Sequence, residues 1–284
     1  MLIESAFSVL PEAVSGWGFQ KVRYEANAVS CFSFSLLNAL HAKNVNDPIQ
    51  RLQLEHGYDT KQLPLGNRRV CDIYLDYGGS RIGTKALANY GWRYRNFLEA
   101  KFFRYSPSNA TTQSTNASNS TVDLLCDLLR LTCLTPEPNL ASGQPNAATS
   151  SARYFLLLSD QEPHRFINQY LHDLHASFKA PPTYFSLDID FSTPRLSKIA
   201  IKMGVGFGSL ALRLHRVTCF SHYPIDPMAP DPVWMLLLRI DAFEVSMAGP
   251  GPTLAFRCQA DRRLMESTPG AYSTIRTFVG TNLR

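Results

Sequence analysis

The chain has 284 residues, 45% of them hydrophobic and 18% charged, and a net charge of +5. That balance excludes a chain disordered throughout, and the length suits one large globular domain or two small ones. Its six cysteines (Cys31, Cys71, Cys126, Cys133, Cys219, Cys258) are scattered in apolar contexts with no CxxC pair, which excludes a zinc ribbon or a disulfide scaffold and points to reduced core residues.

The N-terminal stretch "MLIESAFSVLPEAV" carries Glu4 and Glu12 where a leader would be basic, and it has no long apolar run. Neither a secretory signal nor a membrane span is expected, and a cytoplasmic protein without a membrane partner is. In residues 24–42, "YEANAVSCFSFSLLNALHA", Val29, Phe32, Leu36 and Leu40 recur at helical spacing, so the segment reads as an amphipathic helix. Glu25 lies on the same buried-side line, four residues before Val29; a first-turn glutamate complementing the helix dipole is the other reading.

Residues 51–58, "RLQLEHGY", and 68–79, "RRVCDIYLDYGG", read as strands, the second ending at a Gly-Gly turn. On the second, Asp72, Tyr74 and Asp76 share one face while Cys71, Ile73 and Leu75 share the other. After a short helix or turn in "TKALANYGWRY", residues 96–104, "NFLEAKFFR", give a third strand on which Glu99 and Lys101 point the same way. Within 81–104, Arg81, Lys85, Arg93, Arg95, Lys101 and Arg104 stand against Glu99 alone, a local +5 equal to that of the whole chain. Interleaved with Tyr90, Trp92 and Tyr94, this basic patch suits a polyanion such as nucleic acid; a solvated helix face is the plain alternative.

Residues 105–121 are uncharged and rich in Ser, Thr and Asn, which predicts an exposed loop ending at Ser120 or Thr121 as N-cap of the helix "VDLLCDLLRLTCL". Its Asn-x-Ser/Thr matches at Asn109, Asn116 and Asn119 follow from composition. A second loop (136–151) leads to "RYFLLLSD", a buried strand, and then to a helix over 164–178. Four strand-like runs follow, "TYFSLDIDF", "LSKIAIKM", "SLALRLHRVTCF" and "VWMLLLRIDAFEVSM", and predict an antiparallel extension. The expected division is a core at 1–161, an extension at 162–248 and an irregular tail at 249–284. Asp188 with Asp190 and His172 with His175 lack a third ligand at useful spacing and read as solvated pairs, and "GVGFG" (204–208) lacks the lysine of a phosphate-binding loop.

The order helix, three strands, helix, strand, with an acid in "VCDIYL" and Glu-Ala-Lys in "FLEAKFF", resembles the PD-(D/E)XK nuclease superfamily, the restriction-endonuclease-like fold. The resemblance covers roughly residues 20–160. Cys71 stands where that family has a proline, and the long gap between Asp72 and Glu99 leaves Asp76 open as the acid in place of Asp72. What the resemblance implies is an α/β protein (α+β, with a mixed sheet): a restriction-endonuclease-like αβββαβ core with a C-terminal strand-rich extension. It also implies a Mg2+-dependent DNA endonuclease, for which Mn2+ can substitute. Asp72, Glu99 and the main-chain carbonyl of Ala100 would be metal ligands, Lys101 the catalytic amine and Glu25 an auxiliary acid. Arg81, Lys85, Arg93, Arg95 and Arg104 would contact DNA. Cutting both strands takes two sites, which implies a homodimer, and family analogy suggests restriction or anti-phage defence.

The chemistry is coherent, because carboxylates on one face of strands about 4.8 Å apart can bring their oxygens to one divalent cation. A solvated face with a weak ion pair is the plain alternative for Glu99 and Lys101, and the apolar flanks "NFL" and "FF" argue against it. From a different class, the chain would be a catalytically silent DNA-binding or scaffold module of the same fold. Sequence does not separate DNA from RNA, or double from single strands.

Overall fold

The computed structural model describes residues 2–16, 25–58, 69–77, 93–103, 113–137, 150–159, 183–206, 208–222, 233–249 and 251–283. Helices α1 (Leu2–Ser8), α2 (Leu10–Gly16), α3 (Glu25–Ala42) and α4 (Pro48–Arg51) come first. Strands β1 (Leu52–Gly57), β2 (Val70–Asp76) and β3 (Arg95–Phe103) follow, then α5 (Gln113–Cys133) and β4 (Ser151–Ser159). The remainder is β5 (Thr183–Asp190), α6 (Pro194–Met203), β6 (Leu210–His222), β7 (Trp234–Met247), β8 (Leu254–Cys258), β9 (Leu264–Glu266) and α7 (Ala271–Asn282). The protein is therefore of mixed α+β class, built on one mixed sheet of nine strands.

The strands run β1-β2-β3-β4-β7-β6-β5 across the sheet, and β8 joins β7 and β9 off that path. β1, β2 and β3 form an antiparallel meander. β4 lies parallel to β3 along nine residue pairs. A parallel neighbour needs a crossover, and α5 supplies it. β4 then pairs antiparallel with β7, so hydrogen bonding passes without interruption from the first half of the chain to the second.

Alternation along the strands sorts the core into two layers. On one face Leu98 and Ala100 of β3, Leu156 and Leu158 of β4 and Leu237 of β7 pack under Phe7 of α1 and Phe32 and Leu36 of α3. On the other, Phe97, Phe103, Phe155 and Leu236 pack under Leu124, Leu128 and Leu131 of α5. Both faces of β4 are thus covered, and all nine of its residues are buried, as expected for a strand with a parallel neighbour. The six cysteines are all buried free thiols.

Three sequence expectations are corrected. "LSKIAIKM" is not a strand but α6: Thr193 and Pro194 open it, Gly204 closes it in the left-handed conformation at φ 84°, and Leu196, Ile199, Ala200 and Met203 form its buried line. The apparent alternation came from Ile201, which is 65% exposed. The predicted loop 105–121 gives way to α5 from Gln113 onward, since no Gly or Pro interrupts 113–133 and a helix anchored by its apolar end extends at one hydrogen bond per residue. The tail is not irregular: β8 and β9 form a hairpin turning through Arg262 at φ 66°, and α7 buries Ile275 and Val279. Its strands are too short to show a period, and their pairing with β7 is long-range. The expected elements at 84–92 and 164–178 lie outside the described residues, as do residues 105–112 of the loop.

Candidate active site

The site begins where a ladder ends. β2 and β3 are paired from Asp76–Arg95 to Ile73–Leu98, and beyond Leu98 the partner of β3 is β4 alone. A side chain then takes the place of the missing strand carbonyl: the Ala100 backbone N–H donates to Asp72 Oδ2 at 2.6 Å. This bond fixes Asp72 beside Glu99, the residue before Ala100. Glu99 is only 4% exposed, and the Tyr58 hydroxyl, from just after β1, donates to its Oε1.

Two residues on, Lys101 shares the face of Glu99 and is gripped from two helices. Its Nζ lies 3.2 Å from Glu25 Oε2, in the first turn of α3, and 3.0 Å from Asp127 Oδ2, in the middle of α5. Asp127 spends its other oxygen on Arg130, one turn along, at 2.8 Å. The result is four carboxylates, Glu25, Asp72, Glu99 and Asp127, around one ammonium and one guanidinium.

The electrostatics follow from burial and like charge. Burial raises the Glu99 carboxyl well above the ordinary range, with the charges of Asp127 and Asp72 adding to it and the Tyr58 hydrogen bond opposing. Asp72 is pushed up to about 6, first by burial and then by Glu25 and Asp127, against the Ala100 N–H and a hydrogen bond from Glu99. Both carboxyls therefore resist ionisation, burial being the leading cause for each. Burial also raises Asp127, while Lys101 and Arg130 work to keep it ionised. For Lys101 burial opposes the charge, but Asp127 and Glu25 outweigh it and hold the amine above the usual lysine range. Lys101 is a fixed cation.

Of the predicted residues, Asp72, Glu99, Lys101 and Glu25 come together, with Ala100 between Glu99 and Lys101. Asp76 does not join them. It lies four residues along β2, roughly 13 Å at strand rise, opposite Arg95, and accepts from the Tyr74 hydroxyl at 3.2 Å. Arg95 and Arg93 sit at that same far end of β3, and both are half-buried. Burial and the neighbouring Arg262 lower the Arg93 guanidinium to about 10, with Glu137 and Asp241 opposing. Arg81, Lys85 and Arg104 lie outside the described residues. Asp188 and Asp190 are solvent-facing, Asp188 with Arg213 at 3.6 Å.

Neither Tyr58 nor Asp127 stands out in sequence. Tyr58 follows a strand without a motif of its own. Asp127 did leave a signal: it interrupts the buried line Leu124, Leu128, Leu131, where a carboxylate is costly unless paired.

Among the described residues no group of three or more His, Cys, Asp and Glu side chains is assembled to hold a metal ion. The pair Asp72 and Glu99 nevertheless fits a hard divalent cation: both offer oxygen, burial leaves each carboxylate short of solvation that a cation would replace, and Mg2+ commonly takes one or two carboxylates and keeps several waters. Cys71, buried close by, is no competing soft ligand, because burial and Glu99 push its thiol far up. No protein-family model, curated protein or solved structure matches this chain.

Proposed function

We propose that the chain is a Mg2+-dependent DNA endonuclease of the restriction-endonuclease-like fold, hydrolysing phosphodiester bonds. The observation that carries this reading is the meeting of Asp72, Glu99 and Lys101 where β2 and β3 part. An αβββαβ order supports it: α3, the β1–β2–β3 meander, α5, and β4 parallel to β3, with α3 and α5 on opposite faces.

Asp72, Glu99 and the Ala100 carbonyl would hold Mg2+ or Mn2+. When bound, the ion would supply a hydroxide-like water for attack and offset charge building on the phosphate. The remaining roles fall to the chain. Ala100 N–H and Tyr58 hold the two carboxylates in orientation. Lys101, kept cationic, acts as an electrostatic stabiliser of the charged transition state rather than as a base. Glu25 and Asp127 hold its ammonium near the reacting phosphate. Two copies would be needed to cut both strands, and a role in defence against foreign DNA is the analogy the fold suggests.

The test is incubation of purified protein with supercoiled, linear and single-stranded DNA, with Mg2+, Mn2+ or EDTA. Cation-dependent cleavage is expected, with Glu99→Gln and Asp72→Asn losing cation binding and cleavage together, and Lys101→Ala binding the cation yet cutting at least ~100-fold more slowly. DNA binding without cleavage in any condition would assign the silent module. Wild-type cleavage by Glu99→Gln would make Glu99 and Lys101 structural.

A further inference from the structure

We infer that Asp127 is the positioning residue of Lys101, acting on the reaction chiefly through that amine, which it touches directly. The inference rests on the nuclease reading and goes beyond it by assigning a residue on α5, outside the three-residue motif. Lysine ends a flexible four-carbon stem, so a lysine that stabilises a transition state needs its head fixed from outside. Two carboxylates touch it here, and they are unequal. The Glu25 side chain is 38% exposed at the first turn of α3, where an ion pair is screened by water. Asp127 is buried at 6% in a helix face otherwise made of leucines.

Its geometry is that of a bracket. Oδ1 takes Arg130 at 2.8 Å and Oδ2 takes Lys101 at 3.0 Å, so the carboxylate is held at both oxygens and cannot rotate away. Ammonium has three N–H donors; Glu25 and Asp127 take two, and the third has no partner among the described residues.

A double-mutant cycle in steady-state plasmid cleavage with Mg2+ tests this. Asp127→Asn is expected to lower kcat ~10- to 100-fold with KM for DNA unchanged within about twofold, since a misplaced catalytic group is felt in the transition state. In the Lys101→Ala background the same substitution is expected to cost no more than about threefold further, the part carried by the Asp127 charge on Asp72 and Glu99. Asp127→Glu keeps the charge, moves it by one methylene and spares Arg130 its partner; a kcat about 10-fold down at an unchanged Tm is expected, which covers the case in which Asp127→Asn fails to fold. Additive losses in the Lys101→Ala background, or a wild-type kcat for Asp127→Glu, overturn the assignment and leave the nuclease reading standing. No cleavage by the wild-type protein overturns both.

Discussion

The two faces of the sheet each bury a cluster of charges, and the two clusters are built on opposite terms. On the α1 face, Arg239 of β7 reaches Glu4 and Asp241 at 3.0 Å each, and Arg262 donates to Asp241 at 3.2 Å and to the Ile240 carbonyl at 3.0 Å. Tyr154 donates to Glu4, and Thr218 to Asp241. Two guanidinium groups hold two carboxylates at hydrogen-bond distance, and a third, Arg93, lies near Arg262 and Asp241, so the carboxylates there do not outnumber the cations. On the α5 face, four carboxylates meet one ammonium and one guanidinium, and burial, with neighbouring like charges adding to it, raises the pKa values of Asp72 and Glu99. A balanced buried cluster holds a fold in register. An unbalanced one costs stability and is kept for what it can attract.

The largest effect is expected from breaking the balanced side. Arg239→Ala leaves Glu4 and Asp241 short of a partner in the interior and should cost about 3–5 kcal/mol, read as a fall in the urea midpoint. A loss below 1 kcal/mol would mean that the cluster is no better matched than the other.

Relieving the unbalanced side should do the reverse. A carboxyl whose folded pKa is about 6 lies above the ordinary value near 3.9, so the folded state binds the extra proton, and stability falls as pH rises from about 4 through about 6. Asp72→Asn removes that slope. In EDTA it should leave stability little changed at pH 4 and raise it by about 2 kcal/mol at pH 7.5, less the weakening of the Ala100 hydrogen bond when its acceptor is a neutral amide oxygen. Parallel pH profiles of wild type and variant would put Asp72 in the ordinary carboxylate range.

The smallest effect sharpens the contrast within one cluster. Glu25→Gln should change stability by no more than about 0.5 kcal/mol, because its pair with Lys101 is partly exposed and Asp127 remains. A larger change would make Glu25, not Asp127, the main anchor of the amine.

Legibility in the sequence followed the range of the interactions. Asp72, Glu99 and Lys101 could be found because a two-residue alternation within an apolar strand is a local pattern, and so was the buried line of α3. Asp127 could not be assigned a role, since nothing along the chain says that a turn of α5 crosses above Lys101. The choice between Asp72 and Asp76 likewise depended on where the β2–β3 ladder stops, a fact of pairing between segments distant in sequence. "LSKIAIKM" failed for a different reason: its helix signals, Thr193-Pro194 and Gly204, lie at the ends, while its interior mimics a strand.

The passage of the sheet through β4 into β7 bears on how the protein can be handled. A fragment ending near residue 161 would contain Asp72, Glu99, Lys101, Glu25 and Asp127, yet it would strip β4 of the six pairings it makes with β7 from Tyr154 to Ser159. That would bare a long, flat, leucine-rich edge, "YFLLLS", of the kind that recruits further copies edge to edge. Trimming to the first half should yield inclusion bodies rather than a minimal folded domain, and expression work is best done on the intact chain.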